Sequence, residues 1–146
     1  RPDTDFDGWV WLVMEAIIAP VPTSEVCKYW PVFKPFVDRV LNERGGQRTT
    51  KDLLSALMWG DATLWSVAEE RIVAAAVTEV YEMDERVCRI TCLSGDGMNR
   101  WIHGIKSIEQ WAKEQGCTAI TLSGRKGWQR VLQDYDLSQV TLRKEL

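Results

Sequence analysis

The sequence predicts one α/β domain, residues 1–146, in which a mixed sheet carries helices on both faces. Three observations favour this fold class. Two helical patterns are followed by three strand-like segments, which is typical of an antiparallel meander. Residues 87–135 then run strand, glycine loop, helix, strand and helix, which indicates two parallel strands joined by a right-handed crossover. The composition, 45% apolar and 27% charged, is that of a globular chain that can bury one core.

The first two elements are predicted to be a strand and a long helix. Residues 9–18 are dense in strand formers, although a short buried helix is an alternative, and Pro20 and Pro22 are expected to end this strand. Apolar residues then recur every three or four positions and predict a helix over residues 26–42. Pro31 and Pro35 lie inside that pattern, so an irregular first turn is expected.

A second, shorter helix is predicted from its end signals. Thr49 or Thr50 is the candidate N-cap, and Asp52 stands near the positive end of the helix dipole. The helix is expected to run through Met58, and Gly60 occupies the usual position just after a helix C-terminus.

The meander is predicted to consist of strands at 63–68, 72–81 and 87–93, with residues 69–71 as a hairpin connection. These segments are rich in the β-branched and aromatic residues that suit a pleated surface. A glycine loop at 94–97 follows the third strand and leads into the crossover.

The crossover helix is predicted at 99–115, followed by a strand at 117–122. Four residues of this helix, at offsets of four, three and four, form an apolar stripe that is expected to face the sheet. His103 lies off the stripe. The stripe consists of Trp101, Ile105, Ile108 and Ala112. A second glycine turn, a helix-like segment and a strand-like alternation from Val140 complete the predicted order.

The four cysteines give no sign of a metal or redox site, because no pair has the C-x-x-C spacing. Cys88 and Cys92 lie four apart on one predicted strand, so we expect them to share a face. At ~3.3 Å per residue they would be about 13 Å apart, too far for a disulfide or a shared metal. We expect Cys27, Cys88, Cys92 and Cys117 to be buried free thiols.

Charge and hydropathy argue against two classes of function. A net charge of −3 gives no overall basic surface for nucleic acid. No apolar run reaches the ~20 residues of a membrane span. The stretch 9–21 contains Glu15 and lacks the pattern of a signal peptide. A cytoplasmic protein without a membrane segment is therefore expected.

A local basic cluster lies near the C-terminus, where Arg125 and Arg130 flank Trp128. It would grip phosphates, a nucleic-acid backbone or an acidic partner, or it would be a packed tryptophan with solvated charges around it. Among the eight tryptophans, Trp59 and Trp65 are candidates for an apolar surface that meets a partner.

Five motifs carry a resemblance to a known family. They are Tyr29-Trp30-Pro31, Leu64-Trp65, Val77-Thr78-Glu79-Val80, the Trp101 helix ending in Gln115-Gly116-Cys117, and Gly124-Arg125-Lys126-Gly127-Trp128. With the element order, they resemble the GNAT superfamily of acyl-CoA-dependent N-acyltransferases, and within it short proteins of tailed bacteriophages. The resemblance implies a GNAT-like fold of order β-α-α-β-β-β-α-β-α-β, acetyl-CoA or another acyl-CoA as cofactor, an amine acceptor, and a host-cytoplasm or virion location.

In that family a glycine loop at a helix N-terminus holds the coenzyme A diphosphate through backbone N–H groups. Its pattern is Gln or Arg, two residues, Gly, one residue, Gly or Ala, which puts Gly95 and Gly97 on the glycine positions and Cys92 where Gln or Arg is usual. Asp96 would oppose the diphosphate, and Arg100 would partly compensate. The alternative is a tight structural turn. The residues implied for the coenzyme are Leu93, Ser94, Gly95, Gly97, Asn99, Arg100 and Arg125.

The resemblance also implies a base, often a Glu, that deprotonates the amine, and a Tyr that protonates the leaving thiolate. The family's Tyr would fall at Leu132, and Tyr135 lies three residues further on. Alternation along the strand puts Glu79 and Tyr81 on one face and Glu82 on the other, and we take Glu79 and Tyr81 as the catalytic pair. The alternative is that Glu79 is a solvated strand carboxylate.

Two functions are thus expected, an N-acyltransferase or a protein of the same fold that has lost the chemistry and binds a partner or belongs to a virion. A third, nucleic-acid binding, depends on the basic cluster alone. The enzyme requires an open V-shaped gap between the fourth and fifth strands. The binding protein requires a gap filled by side chains, or an apolar face buried in an assembly.

Overall fold

The computed structural model describes residues 16–44, 48–122, 132–135 and 144–145. Its elements, in chain order, are β1 (Ile17–Val21), α1 (Thr23–Arg44), α2 (Thr50–Trp59), β2 (Ala62–Ala68), β3 (Ile72–Glu82), β4 (Arg86–Gly95), α3 (Met98–Trp101), a 3-10 turn (Ile102–Gly104), α4 (Ile105–Glu114) and β5 (Ala119–Leu122). The predicted order is confirmed as far as β5. The predicted last helix, its basic cluster and the final strand lie outside the described residues.

The sheet is mixed, as predicted. Its strands lie in the order β1-β2-β3-β4-β5, and every neighbouring pair is antiparallel except β4 and β5, which are parallel. Helices α1 and α2 pack on one face through a cluster that includes Val37, Leu53 and Val77. Helices α3 and α4 pack on the other face, where Ile105 and Ile108 meet Ala76. The chain therefore has helices on both faces of one sheet.

Prolines behave differently from the prediction in both of the first two elements. Pro20 lies inside β1, opposite Trp65, and does not end the strand, which ends at Val21 directly before Pro22. Because β1 has one neighbour among the described strands, a residue without an N–H is tolerated there. Helix α1 is continuous over 22 residues, with no irregular first turn. Pro31 and Pro35 are both exposed, so the carbonyls that lose a helical partner face water.

The ends of α2 confirm the predicted capping. Thr49 Oγ1 accepts a hydrogen bond from the Asp52 N–H at 3.0 Å, and the Asp52 carboxylate accepts one from the Thr49 N–H at 3.0 Å. This capping box satisfies two N–H groups that the helix leaves unpaired. Gly60 follows the helix in the left-handed conformation, with φ of +81°, as predicted. The last helical residue is Trp59, one residue beyond the predicted Met58.

A β-bulge interrupts the pairing of β3 and β4. Val77 pairs with Cys92 and Thr78 pairs with Ile90, so Thr91 is an extra residue on β4. Cys92 therefore packs in the α1/α2 core, whereas Cys88 packs on the opposite face against α4. The prediction that the two cysteines share a face is wrong, because one extra residue reverses the alternation of side chains.

The predicted glycine loop at 94–97 is shorter than expected, because β4 continues through Gly95. Gly95 pairs with Ala74, and a Cβ on Gly95 would collide with the Ala74 side chain. This glycine therefore allows two strands to approach closely. Only Asp96 and Gly97 separate the strand from α3.

The crossover is confirmed, but its helix is not continuous as predicted. The 3-10 turn divides it, and Gly104 in that turn lies where a Cβ would collide with Ile18 of β1. The predicted apolar stripe is buried, and His103 is exposed, as expected. The stripe therefore determines which side of the crossover faces the sheet, although a close contact breaks the helix.

Three of the cysteines are buried, but Cys27 is exposed, against the prediction. Its thiol donates to Met58 Sδ at 3.4 Å. Within the described ranges no three His, Cys, Asp or Glu residues are grouped to hold a metal ion. None of the described helices has the length and apolar character needed to cross a bilayer.

Two glycine substitutions separate close packing from backbone strain. Gly60→Ala should destabilise the protein by about 1 kcal/mol, since its positive φ disfavours a side chain although the surrounding space is open. Gly95→Ala should cost more, about 3 kcal/mol, because the new methyl overlaps Ala74. Urea unfolding followed by tryptophan fluorescence measures both costs. The double variant Gly95→Ala/Ala74→Gly should recover part of the loss, and equal costs at the two glycines would contradict the packing argument.

Candidate active site

The predicted base, Glu79, is a buried carboxylate in the middle of the sheet. It lies on β3 between Ala62 of β2 and Arg89 of β4, and it is 7% exposed. Its side chain points to the same face as Val77, under α1 and α2. The alternative of a solvated strand carboxylate is therefore wrong. The other candidate, Glu82, is exposed and lies 3.3 Å from Arg86.

Three hydrogen bonds hold the Glu79 carboxylate. Arg48 donates from Nη1 to Oε1 at 2.6 Å and from Nη2 to Oε2 at 2.7 Å. Thr91 Oγ1 donates to Oε1 at 2.6 Å. Arg48 directly precedes the N-cap of α2, and Thr91 is the extra residue of the bulge. The start of α2 and the bulge therefore deliver both partners of Glu79.

The charge state of Glu79 follows from these contacts. Burial raises the pKa of its carboxyl, but the hydrogen bonds from Arg48 and Thr91 outweigh that effect and hold the pKa below its usual 4.5. The hydrogen bonds to Glu79 likewise raise the pKa of Arg48. Tyr81, half exposed on the same face, adds a further interaction that lowers the pKa of Glu79. At neutral pH the site holds an ionised pair with a phenol beside it.

Strand β4 extends beyond its described pairing with β5. The two strands pair from Val87 with Ala119 to Ile90 with Leu122, whereas β4 continues to Gly95. Thr91 is the first residue after the last paired position. Its hydrogen bond to Glu79 therefore brings the carboxylate to the point where the described pairing of β4 and β5 ends.

Ser94 is a buried hydroxyl near the end of β4. It is 6% exposed, and its Oγ has no hydrogen-bond partner among the residues that the structure describes. Ser94 pairs with Ala75, which belongs to the α1/α2 core, so it lies on the face that also carries Glu79. Leu93 is buried on the opposite face. A buried polar atom without a partner is uncommon and requires an explanation.

The loop after β4 is held by its own contacts. The Asp96 N–H donates to Val73 O at 2.9 Å, and Trp101 Nε1 donates to Asp96 O at 2.8 Å. The Asp96 carboxylate is exposed and lies 3.6 Å from Arg39 of α1. Gly97 has a φ of +68°, which disfavours any residue with a side chain, and it precedes α3. One N–H of the predicted diphosphate loop is therefore already used within the fold.

Arg100, which was expected to compensate in part for the charge of Asp96, pairs with Glu69 of the β2–β3 hairpin. Its Nε donates to Glu69 Oε2 at 2.9 Å, and its Nη2 donates to Glu69 Oε1 at 2.8 Å. The guanidinium lies over the loop, since a Cβ on Gly97 would come within 2.5 Å of Arg100 Cζ. Asn99 is exposed beside it, whereas Arg125 lies outside the described residues.

Comparison with known proteins rests on solved structures, because no family model and no curated protein matches the sequence. A predicted acetyltransferase from Clostridium acetobutylicum, solved with acetyl-CoA, is 16% identical with a TM-score of 0.63, covering 90% of this chain and 95% of its own. An aminoglycoside acetyltransferase from an uncultured soil metagenomic sample, in complex with sisomicin, is 13% identical with a TM-score of 0.61, covering 90% and 96%. A second such enzyme, also from a soil sample, is 12% identical with a TM-score of 0.66, covering 91% and 98%.

The chain has the GNAT fold. In this GNAT-fold chain, the residue nearest in sequence to the family's tyrosine does not approach Glu79. The Tyr135 hydroxyl donates to Glu109 of α4 at 2.6 Å, on the other face of the sheet. Burial, with the neighbouring Glu109, raises the pKa of Tyr135. Leu132 is buried among the residues of α3 and α4. Tyr81 is thus the phenol that accompanies Glu79.

Sequence reasoning missed three residues of the site. Arg48 could have been noticed as a cation directly before a capped helix, but nothing in the sequence pairs it with β3. Thr91 reaches Glu79 through a β-bulge, and no adjacent glycine or proline in the sequence indicates this bulge. Glu69 was assigned only to a hairpin, yet its carboxylate holds Arg100. Each contact joins segments that are far apart in sequence.

Replacing Arg48 with Gln should leave the buried Glu79 carboxylate partly uncompensated. The expected loss of unfolding free energy is about 2 kcal/mol at pH 7, less than for a fully buried pair because Arg48 is 36% exposed. Ionised Glu79 stabilises the fold at pH values above the pKa that this carboxyl has in the unfolded chain. The stabilisation disappears as the pH falls through the lowered pKa of the carboxyl in the folded protein. The difference between wild type and variant should therefore shrink below pH 4.5.

The matched control is Lys34→Gln, which removes an exposed pair within α1. It should change the stability by less than about 0.5 kcal/mol. A loss for Arg48→Gln that stays constant from pH 7 to pH 3, measured by urea unfolding, would contradict the ionised pair.

Proposed function

We propose that the protein transfers an acyl group from an acyl-CoA to an amine. The observation that carries the proposal is Glu79, a buried carboxylate that Arg48 and Thr91 hold in its ionised form in the middle of the sheet. The proposal requires a cleft through which the amine and the thioester reach this carboxylate. Two structures of the same fold support the choice, one containing acetyl-CoA and one an aminoglycoside acetyltransferase in complex with sisomicin.

Two features of the chain fit the coenzyme. Ser94 Oγ has no hydrogen-bond partner among the described residues, and a polar group of the coenzyme would supply one. Gly97 leaves the loop without a side chain, so a diphosphate can approach its backbone. When bound, acyl-CoA supplies an acyl group activated as a thioester. The proposed binding residues are Leu93, Ser94, Gly95, Gly97, Asn99, Arg100 and Arg125, where Gly95 acts by letting β4 lie close to β3.

Glu79 and Tyr81 are the proposed catalytic residues. The lowered pKa of Glu79 keeps it ionised and therefore ready to accept a proton from the amine. The same low pKa makes it a weak base, so its role is to take the proton as the nitrogen attacks and becomes more acidic. Tyr81 is half exposed beside it and would donate a proton to the departing group. Arg48 and Thr91 position the carboxylate.

A binding protein of the same fold is the second candidate. It is favoured by the exposed Trp59, which is 81% accessible beside the exposed Met58, whereas Trp65 is buried and is excluded from such a surface. The phage-like character implied by the sequence motifs would place either protein in a host cytoplasm or a virion. Nucleic-acid binding depends on the basic cluster around Trp128, which lies outside the described residues.

Calorimetric titration with acetyl-CoA tests the coenzyme site. Wild type should bind in the micromolar range, and Gly97→Glu should weaken binding at least tenfold, since it adds a negative charge and displaces Arg100. Gly116→Glu is the matched control, because Gly116 also has a positive φ but lies beside Arg86 at the other end of β4. It should bind as wild type does. No binding by wild type at millimolar acetyl-CoA would favour the binding protein.

The catalytic roles are tested with amine acceptors such as spermidine, lysine and sisomicin, by following thiol release. Glu79→Gln should lower kcat about 100-fold without changing the acetyl-CoA affinity, and Tyr81→Phe should lower kcat less. Glu82→Gln is the control, because this exposed carboxylate lies outside the site. The acid limb of the wild-type rate should lie below pH 4.5, since the pKa of Glu79 is lowered. Full activity of Glu79→Gln would show that Glu79 is not the catalytic base.

A further inference from the structure

We propose that Glu69 is a built-in competitor for the coenzyme, which holds Arg100 over Gly97 and releases it to the incoming diphosphate. This inference rests on the proposed function and concerns the regulation of the same site. It assigns a binding role to the β2–β3 hairpin, which the sequence identified only as a connection. The ligand class is a diphosphate ester that competes with a carboxylate for one guanidinium.

The Glu69 carboxylate accepts hydrogen bonds from Arg100 in the same geometry that a phosphate group would use. Two parallel hydrogen bonds, at 2.9 and 2.8 Å, join the guanidinium to both carboxylate oxygens. A planar guanidinium makes the same two-pronged contact with a phosphate group. Exchange of one anion for the other therefore preserves the number of hydrogen bonds that Arg100 donates.

The two partners differ in freedom to move. The Glu69 side chain is 17% exposed, and its backbone N–H donates to Arg71 O at 2.9 Å within the hairpin. The Arg100 side chain is 58% exposed. Ion pairs at the protein surface contribute little to stability, so the pair can open without disturbing the fold. Arg100 is the partner that moves, and Glu69 stays with the hairpin.

The position of the guanidinium connects this pair to the loop. A Cβ on Gly97 would lie 2.5 Å from Arg100 Cζ and Nη2, so only glycine leaves room for the side chain. Arg100 therefore covers the backbone that the proposed diphosphate has to reach. Ser94, two residues before this loop in the sequence, has a buried hydroxyl without a hydrogen-bond partner among the described residues, although it faces the α1/α2 layer.

Two of the cations beside the loop are already paired with carboxylates. Arg39 lies near Asp96, and Arg100 pairs with Glu69, so two cations face two carboxylates. A diphosphate brings additional negative charge, and Glu69 repels it as well as competing for Arg100. Removal of the Glu69 charge should thus strengthen binding, the opposite of what loss of a ligand-contacting residue does.

The test is calorimetric titration of acetyl-CoA into wild type, Glu69→Gln and Glu70→Gln. Glu69→Gln should bind about two- to fivefold more tightly, the range that corresponds to the free energy of an exposed ion pair. Glu70→Gln removes the same charge from the neighbouring, exposed position, and it should bind as wild type does. An equal gain in both variants would show a general charge effect and overturn the inference.

A double-variant cycle shows whether the effect acts through Arg100. Arg100→Gln should weaken binding, and adding Glu69→Gln to it should bring no further gain. A gain that persists without Arg100, or no difference between wild type and Glu69→Gln, would overturn the inference while the proposed function stands. If neither wild type nor any variant binds acetyl-CoA, the proposed function fails and the inference fails with it.

Discussion

The buried carboxylate of Glu79 is the constraint that organises the middle of this molecule. An ionised group under two helices is costly unless its charge and its lone pairs are satisfied. Arg48 satisfies both oxygens from the segment before α2, and Thr91 adds a third hydrogen bond from β4. These contacts tie the approach to α2, the centre of β3 and the bulge of β4 to one point. One acidic side chain therefore ties the segment before α2 to the sheet, in addition to the apolar core that packs α1 and α2.

The bulge at Thr91 has two consequences that belong together. It lets Thr91 reach Glu79, and it moves Cys92 to the α1/α2 core, so the alternation of β4 differs on either side of it. It also comes directly after Ile90, the last residue of β4 with a described partner on β5. The bulge thus delivers a hydrogen-bond donor to the Glu79 carboxylate at the point where β4 changes its side-chain alternation.

Local rules predicted much of this fold, and long-range contacts account for what they missed. The capping box at Thr49 and the stripe of α4 depend on residues a few positions apart, so the sequence displays them directly. The bulge was not predictable, because it depends on a buried acid twelve residues away in the neighbouring strand. Gly95 was read as part of a loop because its partner, Ala74, lies on another strand. The sequence indicates Glu79 and Tyr81 as site residues, but the charge state of Glu79 depends on its tertiary contacts with Arg48 and Thr91.

The Ser94 hydroxyl has no hydrogen-bond partner in the described part of the chain, and this helps to choose between an enzyme and a protein that has merely kept the fold. A buried polar atom without a partner costs about 1–3 kcal/mol, and an alanine at the same place would avoid that cost. Gly97 is a second such feature, because the stability of the fold alone does not require a glycine beside the Arg100 guanidinium. Arg100 and Asp96 by themselves fit either function, because both are paired within the chain. The Ser94 hydroxyl and the glycine beside Arg100 therefore favour the proposed binding site, at which Glu69 is the proposed competitor.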